Sequence, residues 1–306
     1  MSMVTPRISI GLPVYNGEQF LAQTLDALLA QTWTDFELII SDNGSTDSTE
    51  LLCRAYAARD SRIRYHRSAS NQGGAWNFRR VVELATGAYF KWAAYDDLCA
   101  PTYLERCIAV LDELPEVVLC YPQTVLIDEQ GAAIGTHAEE LHLRSAQAHH
   151  RFRQFLQHYG IGAPCNVHYG LIRTNVLRQT PLLGSYVSSD IVLIGELALR
   201  GQFYEIPEPL FQRRDHPGTL LRTYGTRRAQ LAWFDPSKQQ ARFPVWRLFV
   251  EHVRAIRRTP LHWFERLWCC LYMLQWLGWH VGAYVHDRRT SAKRLALLAR
   301  TPTSRI

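Results

Sequence analysis

The stretch Ile-Ser-Ile-Gly-Leu-Pro-Val-Tyr-Asn-Gly-Glu, residues 8–18, decides the fold class of this chain. Its apolar first half, residues 8–12, predicts a buried strand, and the Pro, Asn and Gly of residues 13–18 predict a tight turn. A strand, a turn and a helix in this order form the repeating unit of α/β proteins. The helix is predicted by apolar residues at helical spacing, which are Phe20, Leu21, Leu25, Leu28 and Leu29.

Three further units of the same kind follow within the first hundred residues. Their predicted strands cover residues 36–40, 63–65 and 88–94, and each is followed by polar or glycine-rich residues. Because the carboxyl ends of such strands lie at one edge of a sheet, we expect these polar residues to converge on one crevice. The sequence therefore predicts an α/β sheet flanked by helices.

The acidic pair Asp96-Asp97 follows the last of these strands. Carboxylate oxygens at a strand end suit a hard divalent cation that carries phosphates. The alternative is that the pair only ends the strand ahead of a helix, which Pro101 and the pattern of residues 102–114 predict. Neither a glycine-rich dinucleotide fingerprint nor a P-loop is present in the sequence, which argues against a dehydrogenase and an ATPase.

Four motifs in order resemble those of family 2 glycosyltransferases with the GT-A fold. They are PVYNGE at 13–18, SDNGSTD at 41–47, NQGGAWN at 71–77 and YDDLCAP at 95–101. The resemblance continues through residues 169–173, 188–191 and 212–216, and so covers roughly residues 6 to 220. It implies a Rossmann-like GT-A fold, with a mixed sheet flanked by helices, and a nucleotide-sugar donor such as a UDP-, dTDP- or GDP-sugar.

The same resemblance implies roles for individual residues. Asp96 would face the ribose or diphosphate of the donor, Asp97 would coordinate Mg²⁺ or Mn²⁺, and His216 would reach the metal or the phosphates. Six further residues would line the nucleotide pocket: Pro13, Tyr15, Glu18, Asp42, Asn71 and Asn77. The first four of these would contact the base and ribose.

Asp190 is the candidate general base. A sugar hydroxyl needs a carboxylate or histidine within hydrogen-bond reach before it can attack. The resembling family usually has Glu-Asp at this point, whereas this chain has Ser189-Asp190 and so keeps the acid expected to be catalytic. The implied reaction is a direct displacement that inverts the anomeric configuration. The alternative is that Ser188, Ser189 or Asp190 is simply the N-cap of the following helix.

Composition fits a soluble enzyme core with 47% hydrophobic residues among 306. Residues 1–7 lack the apolar stretch of a signal peptide, and seven cysteines form no CxxC pair, so we expect a reducing cytoplasm. The densest histidine group, within residues 137–150, lacks a recognised metal-site spacing and predicts surface residues.

The C-terminal part of the chain has a different composition. Residues 238–306 hold thirteen Lys or Arg against three Asp or Glu, a net charge of +10, which leaves −4 for the rest of the chain. Aromatic residues beside basic clusters suit the headgroups of an anionic membrane, yet an aromatic helix also packs on a protein core, and both interpretations stay open. A membrane span is disfavoured by polar residues and glycines in 267–285, and no nucleic-acid motif is present. The predicted stripe consists of Phe264, Trp268, Tyr272, Trp276 and Trp279.

We therefore predict a donor-binding half at 1–125, an acceptor-binding half at 126–235 and a basic helical extension at 236–306. The predicted activity is transfer of a sugar to a glycan or lipid-linked acceptor, in a cytoplasmic protein that associates with the inner face of a membrane. Two alternatives remain at this level: a non-catalytic nucleotide-sugar-binding or membrane-scaffold protein on the same fold, and a nucleotidyltransferase. The second would be expected to carry a basic glycine-rich phosphate loop, which the sequence lacks.

Overall fold

The computed structural model describes residues 5–137, 139–159, 165–219, 227–237 and 244–298, with the backbone alone for 227–228, 244 and 281–298. The strands are β1 (Ile8–Val14), β2 (Phe36–Asp42), β3 (Ile63–Arg67), β4 (Tyr89–Trp92), β5 (Leu98–Cys99), β6 (Val117–Ile127), β7 (Ala133–His137), β8 (Leu171–Arg173) and β9 (Gln202–Arg214). The helices are α1 (Leu21–Leu29), α2 (Thr49–Arg59), α3 (Gly74–Leu84), α4 (Tyr103–Glu113), α5 (Ala148–His158), α6 (Thr174–Leu177), α7 (Ser189–Arg200), α8 (Arg227–Phe234), α9 (Pro244–Arg258) and α10 (Trp263–Leu298), with a 3₁₀ turn at Asn166–Tyr169.

Within the described residues, nine strands form one mixed sheet. Its order is β3-β2-β1-β4-β8-β6-β9-β5, and β7 pairs with β6. Strands β3, β2, β1 and β4 are parallel to one another. β8 is antiparallel to both of its neighbours, β4 and β6, and β6 runs parallel to β9. The predicted mixed α/β sheet flanked by helices is confirmed.

The sheet is covered on both faces. All seven residues of β1 and all seven of β2 are buried, which explains why these strands read as nearly continuous apolar runs. Two hydrophobic clusters result, because successive side chains of a strand point to opposite faces. In β4, for example, Tyr89 belongs to the cluster with α1 and α4, while Phe90 belongs to the cluster with α5 and α7.

The C-terminal helices pack on the second of these clusters. Leu248 and Ile256 of α9, and Cys269, Met273 and Trp276 of α10, are all buried there. The predicted aromatic stripe is therefore divided: Trp276 is buried and Tyr272 partly buried, whereas Phe264, Trp268 and Trp279 are exposed. Core packing therefore accounts for only part of the stripe, and helix periodicity alone does not say which side faces the protein.

A neutral histidine lies in this same core. His252 of α9 is 2% exposed and packs against the rings of Phe152, Phe155 and Trp276. Its Nδ1 has no hydrogen-bond partner in the part of the chain that the structure describes. Burial lowers the pKa of His252 from 6.5 to about 3. The folded protein therefore keeps this ring uncharged at pH values where the unfolded chain protonates it.

We expect His252 to contribute to acid sensitivity. Its folded pKa is depressed, so stability is lost as the pH falls below 6.5 towards about 3. At pH 5 the loss relative to pH 7.5 is about 2 kcal/mol from this residue. Urea unfolding of wild type and His252→Leu at both pH values measures it, since other titrating groups are common to both proteins. An equal loss in the two proteins would contradict this assignment.

Candidate active site

The acidic pair lies beside the end of β9, although the two are more than a hundred residues apart in sequence. The short strand β5, directly after the pair, is antiparallel to β9, with Leu98 opposite Gln212. This pairing brings Asp97 to Arg214, whose backbone N–H donates to Asp97 Oδ1 at 2.9 Å. Two residues after Arg214, His216 Nε2 lies 2.9 Å from Asp96 Oδ2. The structure therefore brings together the two acids and the late histidine.

Burial determines the electrostatics of the pair. Asp97 is 6% exposed, while the Asp96 side chain is more open, at 15%. Burial raises the pKa of the Asp97 carboxyl well above its usual range, and the charge of Asp96 raises it further. Arg213 and Lys91 act in the opposite direction without cancelling the shift. Two adjacent carboxylates in this environment form a site that favours additional positive charge.

Arg214 holds the surrounding loops in place. Its guanidinium is buried and donates to the carbonyl oxygens of Asp96, Asp128 and Glu129, and to the side chain of Gln23. Its charge also lies 4.7 Å from the centre of the Phe20 ring. Three separate segments of the chain, around Asp96, around Asp128 and at the start of α1, therefore contact one cation, which fixes the backbone that carries Asp96.

Asp42 is the centre of the second candidate group. It is fully buried at the end of β2, where Oδ1 accepts from the backbone N–H of Ser45 and Oδ2 from the hydroxyl of Tyr65. Arg67 Nε lies 3.3 Å from Oδ2. Oδ1 is therefore bonded to the loop that follows β2, and Oδ2 to residues of the neighbouring strand β3. Sequence reasoning did not find Tyr65 or Arg67, which carry no motif of their own and are brought here by the pairing of β3 with β2.

The residues that follow β1 contact the loop between β2 and α2. Pro13 is buried within the strand, whereas Tyr15 is 40% exposed at its end. Two hydrogen bonds join Glu18 to residues 47 and 48: Asp47 Oδ2 accepts from the backbone N–H of Glu18, and Glu18 Oε2 accepts from the backbone N–H of Ser48. Asp47 Oδ1 also accepts from the N–H of Thr49 at the start of α2. Glu18 thus ties the β1 turn to the amino terminus of α2, and Tyr15 is left facing outward.

Asn71 and Asn77 complete this side of the crevice. The side-chain amide of Asn77 is buried and donates to the carbonyls of Val14 and Ser41, so it joins the ends of β1 and β2. Asn71 Oδ1 accepts from Asn43 Nδ2 and from the N–H of Gly73. Asn43 was not among the predicted site residues, although it stands inside the 41–47 motif that could have indicated it.

Asp190 lies in the first turn of α7, with its side chain half-buried. Ser188, the residue before the helix, has φ of 64°. Among the described residues, its side chain makes no capping bond and the buried Oγ of Ser189 has no hydrogen-bond partner. The N-cap alternative therefore lacks its hydrogen bond at both serines. A carboxylate oxygen of Asp190 lies within 4.8 Å of Cys165 Sγ and of a ring nitrogen of His168. These two residues were not predicted from the sequence.

The 3₁₀ turn contributes two residues that interact with the charged groups of the site, His168 and Tyr169. His168 in this turn is buried, and its Nδ1 lies 2.5 Å from the carbonyl of Cys165. Burial lowers the pKa of His168, and the charge of Asp190 opposes that shift. Burial also raises the pKa of the neighbouring Tyr169, followed by the charges of Asp97, Asp96 and Asp190. The charges of the acidic pair and of Asp190 therefore all act on Tyr169.

Known proteins resemble this chain in sequence and in fold. An uncharacterized glycosyltransferase of Rickettsia typhi is 32% identical over 131 residues, which cover 42% of this chain and 40% of that protein. The chain therefore matches less than half of the length of that curated relative. In solved structures, S. aureus TarS 1–349 in complex with UDP-GlcNAc aligns with a TM-score of 0.64 at 14% identity, covering 88% of this chain and 72% of that one.

A second solved structure shares the fold more loosely. It is the mannosyltransferase PcManGT from Pyrobaculum calidifontis in complex with GDP-Man and Mn²⁺, with a TM-score of 0.53 at 14% identity over 96% of this chain and 81% of that one. The family model described as glycosyl transferase family 2 matches residues 9–177, more than half of the chain. Together with the mixed sheet and its C-terminal helices, these matches show that the chain belongs to glycosyl transferase family 2 and has the fold of GT-A glycosyltransferases.

Proposed function

We propose that this protein transfers a sugar from a nucleoside-diphosphate sugar to a hydroxyl of a glycan or lipid-linked acceptor, with inversion at the anomeric carbon, in bacterial surface polysaccharide synthesis. The observation that carries the proposal is the convergence of Asp96, Asp97 and His216 at the sheet edge that also holds Asp42. Asp190 lies beside Cys165 and His168 of the segment that also holds Tyr169, and Arg213, next to Arg214, donates to Asn166 of the same segment. An acidic site and a separate carboxylate are what a donor diphosphate and an acceptor hydroxyl require.

The donor nucleotide would lie over the ends of β1 and β2. Tyr15 offers an exposed aromatic ring there, and the loop from Asn43 to Asp47 is held by Asp42 beneath it. Because the carboxylate of Asp42 and the amide of Asn77 are already bonded to the protein, we assign them to shaping this pocket as much as to touching the base. The two solved neighbours hold UDP-GlcNAc and GDP-Man, which supports a nucleotide sugar as donor without selecting its base.

The residues around the acidic pair fit Mg²⁺ or Mn²⁺. Carboxylate oxygens of Asp96 and Asp97 with the imidazole of His216 form a donor set of the kind these cations accept, and Mn²⁺ suits the nitrogen better. The raised pKa of Asp97 also fits, since an added cation favours its charged form. A bound ion would neutralise charge on the leaving diphosphate.

Asp190 would take the proton of the acceptor hydroxyl. The acceptor oxygen forms its new bond to the anomeric carbon while the bond from that carbon to the diphosphate oxygen breaks, and the O–H proton passes to the Asp190 carboxylate. The half-buried position of Asp190 leaves it open to an acceptor, while Cys165 and His168 close its inner side. Holding donor and acceptor in line supplies much of the remaining acceleration.

Donor recognition is tested first by a thermal-shift and calorimetric screen against UDP, GDP, dTDP and CMP with Mn²⁺, Mg²⁺ or EDTA. A ligand that binds only the folded state adds about 2.7 kcal/mol of stability at a hundredfold excess over its Kd. We expect one nucleoside diphosphate to stabilise the protein in a metal-dependent way. Absence of any shift would favour a protein that does not use a nucleotide sugar.

Asp97→Asn is expected to weaken metal-dependent nucleotide binding by about tenfold or more, because it removes one charge from the ligand set. Isothermal calorimetry with the selected nucleotide and Mn²⁺ measures the change. The matched control is Asp112→Asn, which removes an exposed ion pair with Arg7 on the far side of β4 and should leave affinity unaltered. Equal weakening in both variants would contradict the role of Asp97.

Asp190→Asn is expected to lower kcat by about 10²- to 10⁴-fold and to leave nucleotide affinity within about twofold of wild type. Only the acceptor step uses this carboxylate, so binding and transfer should separate. Product analysis by NMR in the wild type tests inversion in the same experiment. Loss of nucleotide binding in Asp190→Asn would show that the residue is misassigned. Nucleotide binding by a wild type that transfers no sugar would favour the non-catalytic alternative.

A further inference from the structure

Helix α10 presents a continuous apolar face to solvent. The face consists of Trp263, Phe264, Leu267, Trp268, Leu271 and Leu274, all exposed, with Trp263 at 69%, Leu274 at 59% and Leu267 at 50%. Scattered exposed apolar residues are common on soluble proteins, but a contiguous patch marks an interaction surface. The face runs over twelve residues, which is about 18 Å of helix.

The opposite side of the helix is already occupied. Cys269, Met273 and Trp276 pack into the core, and Glu265 bonds through its carboxylate to the backbone N–H and ring Nδ1 of His149 on α5. The helix is therefore apolar on both sides, and its one acid between Trp263 and Leu274 points to the protein. The sequence left membrane contact and core packing as alternatives; in the structure, core packing occupies one side of α10 and the other side is exposed.

Positive charges flank the face along the chain. Arg257, at the end of α9, and Arg266, on α10, are both exposed, and the segment 238–306 carries a net charge of +10. Tryptophan and leucine with nearby arginine match the boundary between lipid headgroups and acyl chains, where cations add attraction to anionic lipid. A self-complementary contact between two copies would place these like charges near one another, which costs energy.

We propose that the apolar face of α10 docks on the surface of an anionic lipid bilayer, with the helix axis lying along the membrane plane. Within the described residues, no helix is long and apolar enough to cross a membrane. Docking would leave the packed side of α10 on α5 and α9, and α9 in turn lies on α7, the helix of Asp190. The bilayer surface is thereby held at a fixed position relative to Asp190. This inference depends on the surface alone and stands independently of the proposed transfer reaction.

Vesicle flotation tests the apolar contribution. The full chain is mixed with vesicles containing about one third phosphatidylglycerol, or with phosphatidylcholine alone, at physiological salt. We expect wild type to bind the anionic vesicles and the double variant Leu267→Ser, Leu271→Ser to bind at least about tenfold more weakly, because it removes apolar area from the contact. Both leucines are exposed, so the fold should be retained, and the thermal unfolding midpoint checks this.

The matched control is Leu51→Ser, an exposed leucine on α2 at 72%. This change removes the same kind of side chain outside the face and should leave vesicle binding unaltered. Equal weakening by the control, or retention of full binding by the double variant, would overturn the proposal.

The charge contribution is tested by Arg257→Gln with Arg266→Gln. Each lost cation near an anionic surface is expected to weaken binding by about fivefold, and the effect should fade in high salt. Analytical ultracentrifugation without lipid is the companion measurement. A wild-type dimer that the leucine variant converts to a monomer, with no vesicle binding, would assign the face to a second copy and overturn the membrane proposal.

Discussion

The hydrogen bond from the backbone N–H of Arg214 to the carboxylate of Asp97 is the contact on which the rest of the site depends. Strands β4 and β9 are separated by β8 and β6 in the sheet, so their ends meet only because β5 folds back and pairs with β9. That pairing places the acidic pair against the residues that follow β9. The same register places His216 against Asp96 and positions the Arg214 guanidinium to donate its four hydrogen bonds. A slip of one residue in this short pairing would turn Arg214 and Asp97 away from each other.

The electrostatics of the site follow from this arrangement. Lys91 is fully buried in β4 and donates to the carbonyls of Trp92 and Tyr169, so a fixed positive charge lies beneath the acids. It lowers the pKa of Asp97, as Arg213 does, yet burial and the charge of Asp96 outweigh both. Lys91 and Arg213 therefore offset only part of the shift that burial and the charge of Asp96 impose on the pKa of Asp97. Additional positive charge at the pair would stabilise the ionised form of both carboxylates, which physically couples cation binding to the binding of a negatively charged diphosphate.

The local part of the site could be predicted from sequence, whereas its long-range contacts could not. The strands at 8–14, 36–42, 63–67 and 89–92 and the polar residues after them follow from apolar runs broken by Asn, Gly and Asp. Tyr65 and Arg67 reach Asp42 through strand pairing, and Cys165 and His168 reach Asp190 through packing of a 3₁₀ turn. None of the four carries a local signal, because their spacing to the residues they meet is set by tertiary structure. The roles assigned to the site residues stay predictions, as does the division of the chain at 125 and 235.

The C-terminal helix shows a second limit of periodicity. In α10 the buried side contains Trp276 and Met273, and the exposed side contains Trp263, Leu267 and Leu271, so apolar residues occupy both. An apolar stripe normally identifies the buried side by contrast with polar residues opposite, and here that contrast is missing. What distinguishes the two sides is a polar contact: the only acid in the first three turns of the helix bonds to His149 and so lies on the packed side. Because Glu265 fixes the rotation of α10 in this way, its apolar residues are divided between a face that completes the core and a face left free for another apolar surface.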